Sequence, residues 1–377
     1  MTLTFFTNLI HHHQTPLADE FYKLLGDNYH YVAMESLPEW LIKGGYDPTI
    51  DRSYIIRAYE SEEAFAEAKR LMLESDVVIA AYSPEEELLL RKVQNKMTFD
   101  YSERWNKDGK LHLIDPRRLI SIYKRSFRFR KNRLYMLCAS AYAARDVNFY
   151  HCYPNKTFKW GYMTQVDMNY SRLFLSNADR KISLMWCARF LDWKHPELPI
   201  KLAKQLKDKG YNFHLDMYGN GVMFDEMVKL ANQLEVNDVL CFCGNVPNEQ
   251  ILKAMREHDI FLFTSDRGEG WGVVANEAMA NGCVLIGSDE IGSIPFLIKD
   301  GENGLIFKSK NIGSLTDKVE WAFNHLDDCK HLSANAIKTM QEIWSPASAA
   351  KSFLQLVDDL QNCRKISITD GPCSRAE

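Results

Sequence analysis

The run Ser265-Asp-Arg-Gly-Glu-Gly-Trp-Gly-Val-Val-Ala-Asn-Glu277 joins three glycines to two widely spaced glutamates. An apolar β-type stretch over 260–264 precedes it and a helical pattern follows it as far as Asn281-Gly282, so it reads as strand, glycine loop and helix. Gly268, Gly270 and Gly272 lack a Cβ and let the backbone approach a ligand, while main-chain amides at a helix start favour an anion, phosphate above all. Glu269 stands in the loop before the helix and Glu277 about two turns along it. Carboxylates repel phosphate but accept hydrogen bonds from sugar hydroxyls. The pair therefore suits one ligand with an anionic middle and hydroxyls at both ends, the form of a nucleotide sugar. A solvated loop with surface glutamates is the alternative that glycine and charge leave open.

Other candidates sit where strands give way to loops. His11-His-His-Gln14 follows the first apolar run, residues 3–10, in the strand-to-helix position at which open α/β sheets bind ligands. His11, His12, His13 and Gln14 are candidates for substrate contact there, against solvated imidazoles in an ordinary turn. Tyr82 ends a later strand and is a second candidate, and residues 99–104 read as a polar-aromatic loop. Cys241-Phe-Cys243 puts two thiols on one face of a strand. With no second pair nearby it reads as buried apolar thiols rather than zinc ligands, and no metal site is expected. Residues 116–133 hold eight cations and no carboxylate, interleaved with Leu119, Ile120, Ile122, Tyr123, Phe127 and Phe129. Such a segment suits an anionic membrane surface, or is a solvated basic face over ordinary core contacts.

The elements that must position these residues alternate between strand and helix, which argues for parallel sheets with crossover helices. Strands are expected at 3–10, 30–34, 53–57, 76–82, 134–140 and 147–152, with helices at 17–26, 60–74 and 84–96. A second series has strands at 182–188, 213–218, 239–242, 260–264 and 283–286, with helices at 199–210, 223–234 and 248–258. Two domains also suit 377 residues of 46% hydrophobic content. A polar stretch near Asn177-Ala-Asp179 marks the linker, giving domains at 1–170 and 180–344. Residues 366–377 read as a disordered tail.

Glu269 and Glu277, with the seven residues between them, resemble the E-x7-E signature of the retaining nucleotide-sugar glycosyltransferases of the GT-B fold, family four. Ala188-Arg-Phe-Leu-Asp-Trp-Lys-His-Pro196 is similar to that family's Arg...Lys phosphate-binding segment, and Ile291-Gly-Ser-Ile-Pro295 and Asp300-Gly-Glu-Asn-Gly304 are similar to its late loops. The resemblance covers residues 182–350 well and the first half in general form, where the family's glycine-rich loop after the first strand is absent. It implies an α/β GT-B fold, two doubly wound Rossmann-like domains facing a cleft, with a helix over 345–365 crossing back to the first domain. It implies transfer of a sugar, with retained anomeric configuration, from a nucleotide-diphosphate sugar to a saccharide or lipid-linked acceptor, in surface polysaccharide or glycolipid assembly. By the same resemblance Arg189 and Lys194 bind the diphosphate and stabilise its departure, and Glu269 holds donor-sugar hydroxyls. The amides of Gly270, Trp271, Gly272 and Val273 face sugar and phosphate, and Glu277 binds the ribose. Gly244, Asn245 and Val246 contact the base. Gly219-Asn-Gly221 ends a strand and permits a tight turn, which makes Gly219 a further candidate for donor contact on its residues alone. No metal and no cofactor beyond the donor is implied. Family members often take lipid-linked acceptors at the inner leaflet, which supports membrane contact through 117–133. A nucleotide-sugar epimerase and a non-catalytic nucleotide-sugar sensor stay as alternatives. A dinucleotide oxidoreductase is disfavoured, because no G-x-G-x-x-G follows the first strand of either half.

A net charge of -4 and a pI near 6.3 argue against a general nucleic-acid binder. Nine cysteines without a regular framework fit reduced thiols in the cytosol. No apolar stretch reaches the length that spans a bilayer, and the first apolar run lacks a basic region and a cleavage site, so a cytosolic chain is expected. The sequons at Asn155 and Asn169 carry no weight in such a chain.

Overall fold

The computed structural model describes residues 1–43, 46–106, 115–172 and 181–377. They form two units, Met1–Gln165 with Trp344–Glu377, and Val166–Ile343. The expected linker at Asn177-Ala-Asp179 lies outside the described residues.

In the first unit, strands β1 (Leu3–Thr7), β2 (Tyr29–Ala33), β3 (Ile55–Arg57), β4 (Val77–Ala80), β5 (Met97–Ser102), β6 (Leu134–Cys138) and β7 (Thr157–Lys159) alternate with helices. The helices are α1 (Thr15–Leu25), α2 (Glu39–Lys43), α3 (Glu62–Glu74), α4 (Glu85–Val93), α5 (Pro116–Arg125) and α6 (Ala143–Phe149). The pairings among these strands are parallel, in the order β3-β2-β1-β4-β5-β6-β7. β1 is buried at every residue, as a strand covered on both faces must be. The winding reverses between β1 and β4, and a sheet of this kind opens a crevice at the carboxyl ends of those two strands. Arg91 of α4 is wholly buried, yet its guanidinium donates to the carbonyls of Met72, Ser75, Asp76 and Met97 and to Thr98 Oγ1. It ties the end of α3 to the strands that follow, and burial lowers its pKa to about 10.

Three local expectations fail. Most of residues 99–104, read as a loop, belongs to β5, where Met97, Phe99 and Tyr101 are buried and the strand pairs with both β4 and β6. Asp100 and Ser102, which suggested a loop, occupy the alternate positions. Residues 147–152, read as a strand, are the end of α6 and a turn; the helix starts at Ala143-Ala144, strong helix formers outside the apolar window. Residues 366–377, expected to be disordered, are tied down instead: Ser367 bonds to Asp359, and residues 373–376 run along β7. Cys373 N donates to the Lys159 carbonyl at 2.7 Å, Lys159 N to Ser374 at 2.8 Å and Ala376 N to Thr157 at 3.1 Å. β7 is an edge strand, and its unpaired main-chain groups explain why a polar tail settles there.

The second unit repeats the winding. β8 (Ile182–Cys187), β9 (Phe213–Tyr218), β10 (Leu240–Gly244), β11 (Ile260–Phe263), β12 (Val284–Ser288) and β13 (Leu305–Phe307) form a parallel sheet in the order β10-β9-β8-β11-β12-β13. Its helices are α7 (Glu197–Asp208), α8 (Phe224–Gln233), α9 (Asn248–Glu257), α10 (Val274–Ala280), α11 (Ile294–Leu297), α12 (Ile312–Asn324) and α13 (Leu326–Lys338). The reversal falls between β8 and β11. The last helix, α14 (Pro346–Gln361), belongs to the first unit. Ser345 Oγ caps its start, accepting from Ser348 N at 3.2 Å, and Phe353 packs with Phe21, Phe99 and Trp160 at ring separations of 5.6, 4.9 and 5.8 Å.

Candidate functional site

The loops after β8 and β11 leave the two strands that flank the reversal, and they meet. Lys194 closes a short 3-10 turn, Asp192–Lys194, and its ammonium pairs with the Glu269 carboxylate, which also accepts from Ser265 Oγ at 3.0 Å. The two charged side chains are 13% and 15% exposed, sheltered but open to a ligand. Buried groups hold the turn from behind. Trp186 Nε1 of β8 donates to Thr264 Oγ1 at 2.9 Å, and Thr264 donates to the Lys194 carbonyl at 2.7 Å. His195 adopts a left-handed backbone (φ 49°) and lies between Glu197 at 3.0 Å and Asp266 at 3.2 Å. Hydrogen bonding to Glu197 raises its pKa. Burial pushes the Asp266 carboxyl up, but Lys310 at 2.7 Å, the Gly268 amide at 2.8 Å and His195 hold it below the ordinary aspartate value. Arg189 is exposed on the same β8 loop.

Gly272 has φ +81°, and a Cβ there would run into the Phe263 ring and approach Glu269. This left-handed residue delays the helix, so α10 starts at Val274 and Glu277 lies in its first turn, not two turns along. Glu277 is buried, takes a long hydrogen bond from Asn248 Nδ2 at 3.4 Å, and is pushed by burial to a pKa of about 7. The Trp271 ring belongs to the core, its Nε1 donating to Asn276 Oδ1 at 2.8 Å, so only its main chain can face a ligand. Gly270 is buried beside it, and Val273 is half-buried just before the helix.

Asn248 opens α9 one residue, Pro247, beyond Gly244, Asn245 and Val246, and its bond to Glu277 brings that loop to α10. Gly244 (φ +68°) faces open space. Gly219 (φ +119°) does not, for a Cβ would overlap the Ala188 carbonyl, and its N–H donates to Gly244 O at 2.8 Å. Gly219 thus laces together the loops after β8, β9 and β10.

In the first unit His11, His12 and His13 follow β1 and Tyr82 follows β4, again flanking the reversal. The His12 ring lies 3.9 Å from His13 and 5.0 Å from Tyr46. Burial lowers the His11 pKa to about 4 and takes that of His13 well below the ordinary histidine value, so both rings are sheltered from solvent. Gln14 is buried and its Oε1 accepts from Tyr31 at 2.7 Å and Thr7 at 3.1 Å, a tie between strands. Tyr82 is half exposed and bonded to Glu35, which raises its pKa. Glu35, Ile10, Ser36, Asp47, Arg57 and Tyr59 line a small open pocket.

On α5, Leu119, Ile120 and Tyr123 are 40%, 55% and 55% exposed, whereas Phe129 beyond it is buried. Arg125 pairs with Glu85 at 2.6 Å, Arg118 bonds Asn106 at 2.8 Å, and Arg130 lies 4.0 Å from the Phe127 ring. Cys241 is exposed and Cys243 half-buried, so the expectation of two buried thiols fails on the edge strand β10. Sequence reasoning gave no role to Thr264, Asp266, His195 or Lys310. His195, between Lys194 and Pro196 after a strand, was the available signal; Lys310 enters from beyond β13 and had none.

Residues 172–339 match the family described as Glycosyl transferases group 1. EpsF of Bacillus subtilis (strain 168), whose name as a glycosyltransferase is provisional, is 37% identical over 114 residues, 30% of this chain and 29% of its own length. The chain spans only 28% to 53% of the length of the curated relatives it matches. Among solved structures, Anabaena Alr3699/HepE in complex with UDP superposes with a TM-score of 0.67 at 12% identity, covering 95% of this chain and 100% of that one. The lipopolysaccharide outer core galactosyltransferase WaaB gives 0.66 at 14% identity, covering 96% and 100%. The chain therefore has the α/β GT-B fold, and the unit that carries the Lys194–Glu269 pair matches the group 1 glycosyl transferases.

Proposed function

We propose that the protein is a retaining glycosyltransferase that moves a sugar from a nucleotide-diphosphate donor to a saccharide or lipid-linked acceptor in polysaccharide or glycolipid assembly. The Lys194–Glu269 pair at the β8/β11 reversal carries the reading. An entering donor exchanges this pair for two better ones, Lys194 with the diphosphate and Glu269 with sugar hydroxyls. Arg189 adds a second cation, and the main chain of Gly270, Trp271, Gly272 and Val273 borders the phosphates. Glu277 takes the ribose hydroxyls and Gly244, Asn245 and Val246 the base. The bond from the anomeric carbon to the diphosphate oxygen breaks as the acceptor oxygen bonds to the same face. The acceptor proton passes to the departing phosphate oxygen, and the cations offset the charge that develops there. HepE binds UDP, which makes a uridine donor the first to try.

The first unit supplies the acceptor contacts, from His11, His12, His13 and Tyr82. Its helix α5, with Leu119, Ile120 and Tyr123 outward among cations, rests on an anionic bilayer carrying the lipid-linked acceptor. No divalent metal takes part at the diphosphate, where Lys194 and Arg189 fill that role. A thermal-shift panel of UDP-, GDP- and ADP-sugars names the donor, since a ligand of the native state raises its stability. NMR of the product then reads the anomeric configuration. Inversion, hydrolysis or epimerisation without acceptor, or loss of turnover in chelator restored by manganese, contradicts the proposal.

A further inference from the structure

β9 and β10 form the outer pair of the second sheet, with β10 at its edge. Leu215 and Met217 turn into the core, which leaves His214 and Asp216 on the opposite face of β9. Cys241 is the register partner of Asp216. The ladder then shifts between Phe242 and Gly244, so that Cys243 is the extra residue of an edge-strand bulge, its Sγ 3.9 Å from the Cys241 carbonyl. Both sulfurs and a carboxylate oxygen of Asp216 consequently lie within 4.8 Å of one another, and among the described residues no other trio of metal-ligating groups does so.

We infer that Asp216, Cys241 and Cys243 bind a zinc ion that clips the edge strand to β9. Two thiolates and a carboxylate favour a borderline-soft dication over magnesium or calcium, which take oxygen ligands. Tetrahedral zinc with bonds of about 2.3 Å to sulfur wants the sulfurs about 3.8 Å apart, so the two sulfurs draw together by about 1 Å at most. Rotation of the exposed Cys241 side chain permits this. Water fills the fourth position. The carboxylate is already aimed, with His214 Nε2 2.8 Å from one oxygen, His258 Nε2 2.9 Å from the other, and His258 Nδ1 2.7 Å from the Ala254 carbonyl. Each oxygen keeps a lone pair for the metal, and hydrogen bonds of this second layer are what orient a ligand. On binding, each thiol gives its proton to solvent. The ion lies outside the transfer chemistry proposed above and stiffens the strand just before Gly244.

The test uses the full chain, reduced with a phosphine, freed of metal and titrated with cobalt(II), then zinc. A sulfur-to-cobalt absorption should saturate at one ion per chain and bleach with zinc. It should vanish in the Cys241→Ser/Cys243→Ser variant, weaken at least tenfold in affinity in Asp216→Asn, and persist in Cys363→Ser, whose thiol is exposed elsewhere. No band in the unaltered protein, or one that survives the double substitution, overturns the site. Should the double variant unfold, alkylation of the unaltered protein decides. Zinc must then shield Cys241 and Cys243 while Cys363 stays reactive, and equal labelling with and without zinc overturns the site.

Discussion

A carboxyl held near neutrality by burial makes Glu277 a titrating part of the fold. Its folded pKa of about 7 lies above the ordinary 4.5, so the folded chain keeps a proton there that the unfolded chain releases. The stability from this group is fully present below pH 4.5 and is lost as pH rises through 7, about 3 kcal/mol in all. Glu277→Gln should flatten that slope in urea unfolding between pH 5 and 8, and an unchanged slope would refute the assignment. The same variant should weaken donor binding if Glu277 takes the ribose as proposed, because an amide then replaces the carboxylate that accepts from its hydroxyls. Glu269→Ala and Lys194→Ala should each lower turnover, by about 1.5 to 3 kcal/mol as lost charged hydrogen bonds. As partners in one ion pair they should be less than additive in a double-mutant cycle, and full additivity would show that they act apart. The spacing of Glu269 and Glu277 was legible in sequence because seven intervening residues are local. That Lys194 touches Glu269 was not, for it depends on β8 lying beside β11.

Two left-handed glycines separate backbone geometry from crowding. Gly244→Ala should cost about 1 to 2 kcal/mol, the price of φ alone, since open space surrounds it. Gly272→Ala adds collision with Phe263 and should cost at least about 1 kcal/mol more, with turnover falling because the loop bearing Glu269 must shift. Equal thermal shifts in the two would contradict the packing described. Helix α5 carries the second test at this scale. Its cations contribute about 1 kcal/mol each near an anionic surface, screened over roughly 8 to 10 Å. Co-sedimentation with phosphatidylglycerol vesicles, absent with neutral ones and reversed by salt, should weaken in Arg117→Gln/Lys124→Gln and in Ile120→Ser/Tyr123→Ser. Indifference to anionic vesicles at low salt would leave α5 a solvated face. The amphipathic pattern of α5 was visible in sequence, but which aromatics face outward was not, because burial of Phe129 is set by tertiary packing. β5 and β13 were missed for related reasons, polar alternation in one and a length of three residues in the other.

Alternation of strand and helix was enough to anticipate two parallel sheets, and the tail on β7 was hidden because an edge strand accepts main-chain partners of almost any sequence. The first unit is built from both ends of the chain while the second is continuous. Phe353→Ala, which empties space among Phe21, Phe99 and Trp160, should therefore destabilise the first unit by about 3 to 5 kcal/mol. Hydrogen exchange should quicken in β1 and β5 and stay unchanged in β8 and β11; uniform quickening would mean the units unfold as one. On a ribosome this topology becomes a matter of timing. Roughly 190 residues separate Gln165 from Phe353, a wait of roughly 10 to 40 s at 5–20 residues per second, during which the first sheet stands with an aromatic face unfilled. The contiguous residues of the second unit all fall within that interval, so a later segment of the chain decides when an earlier one is finished.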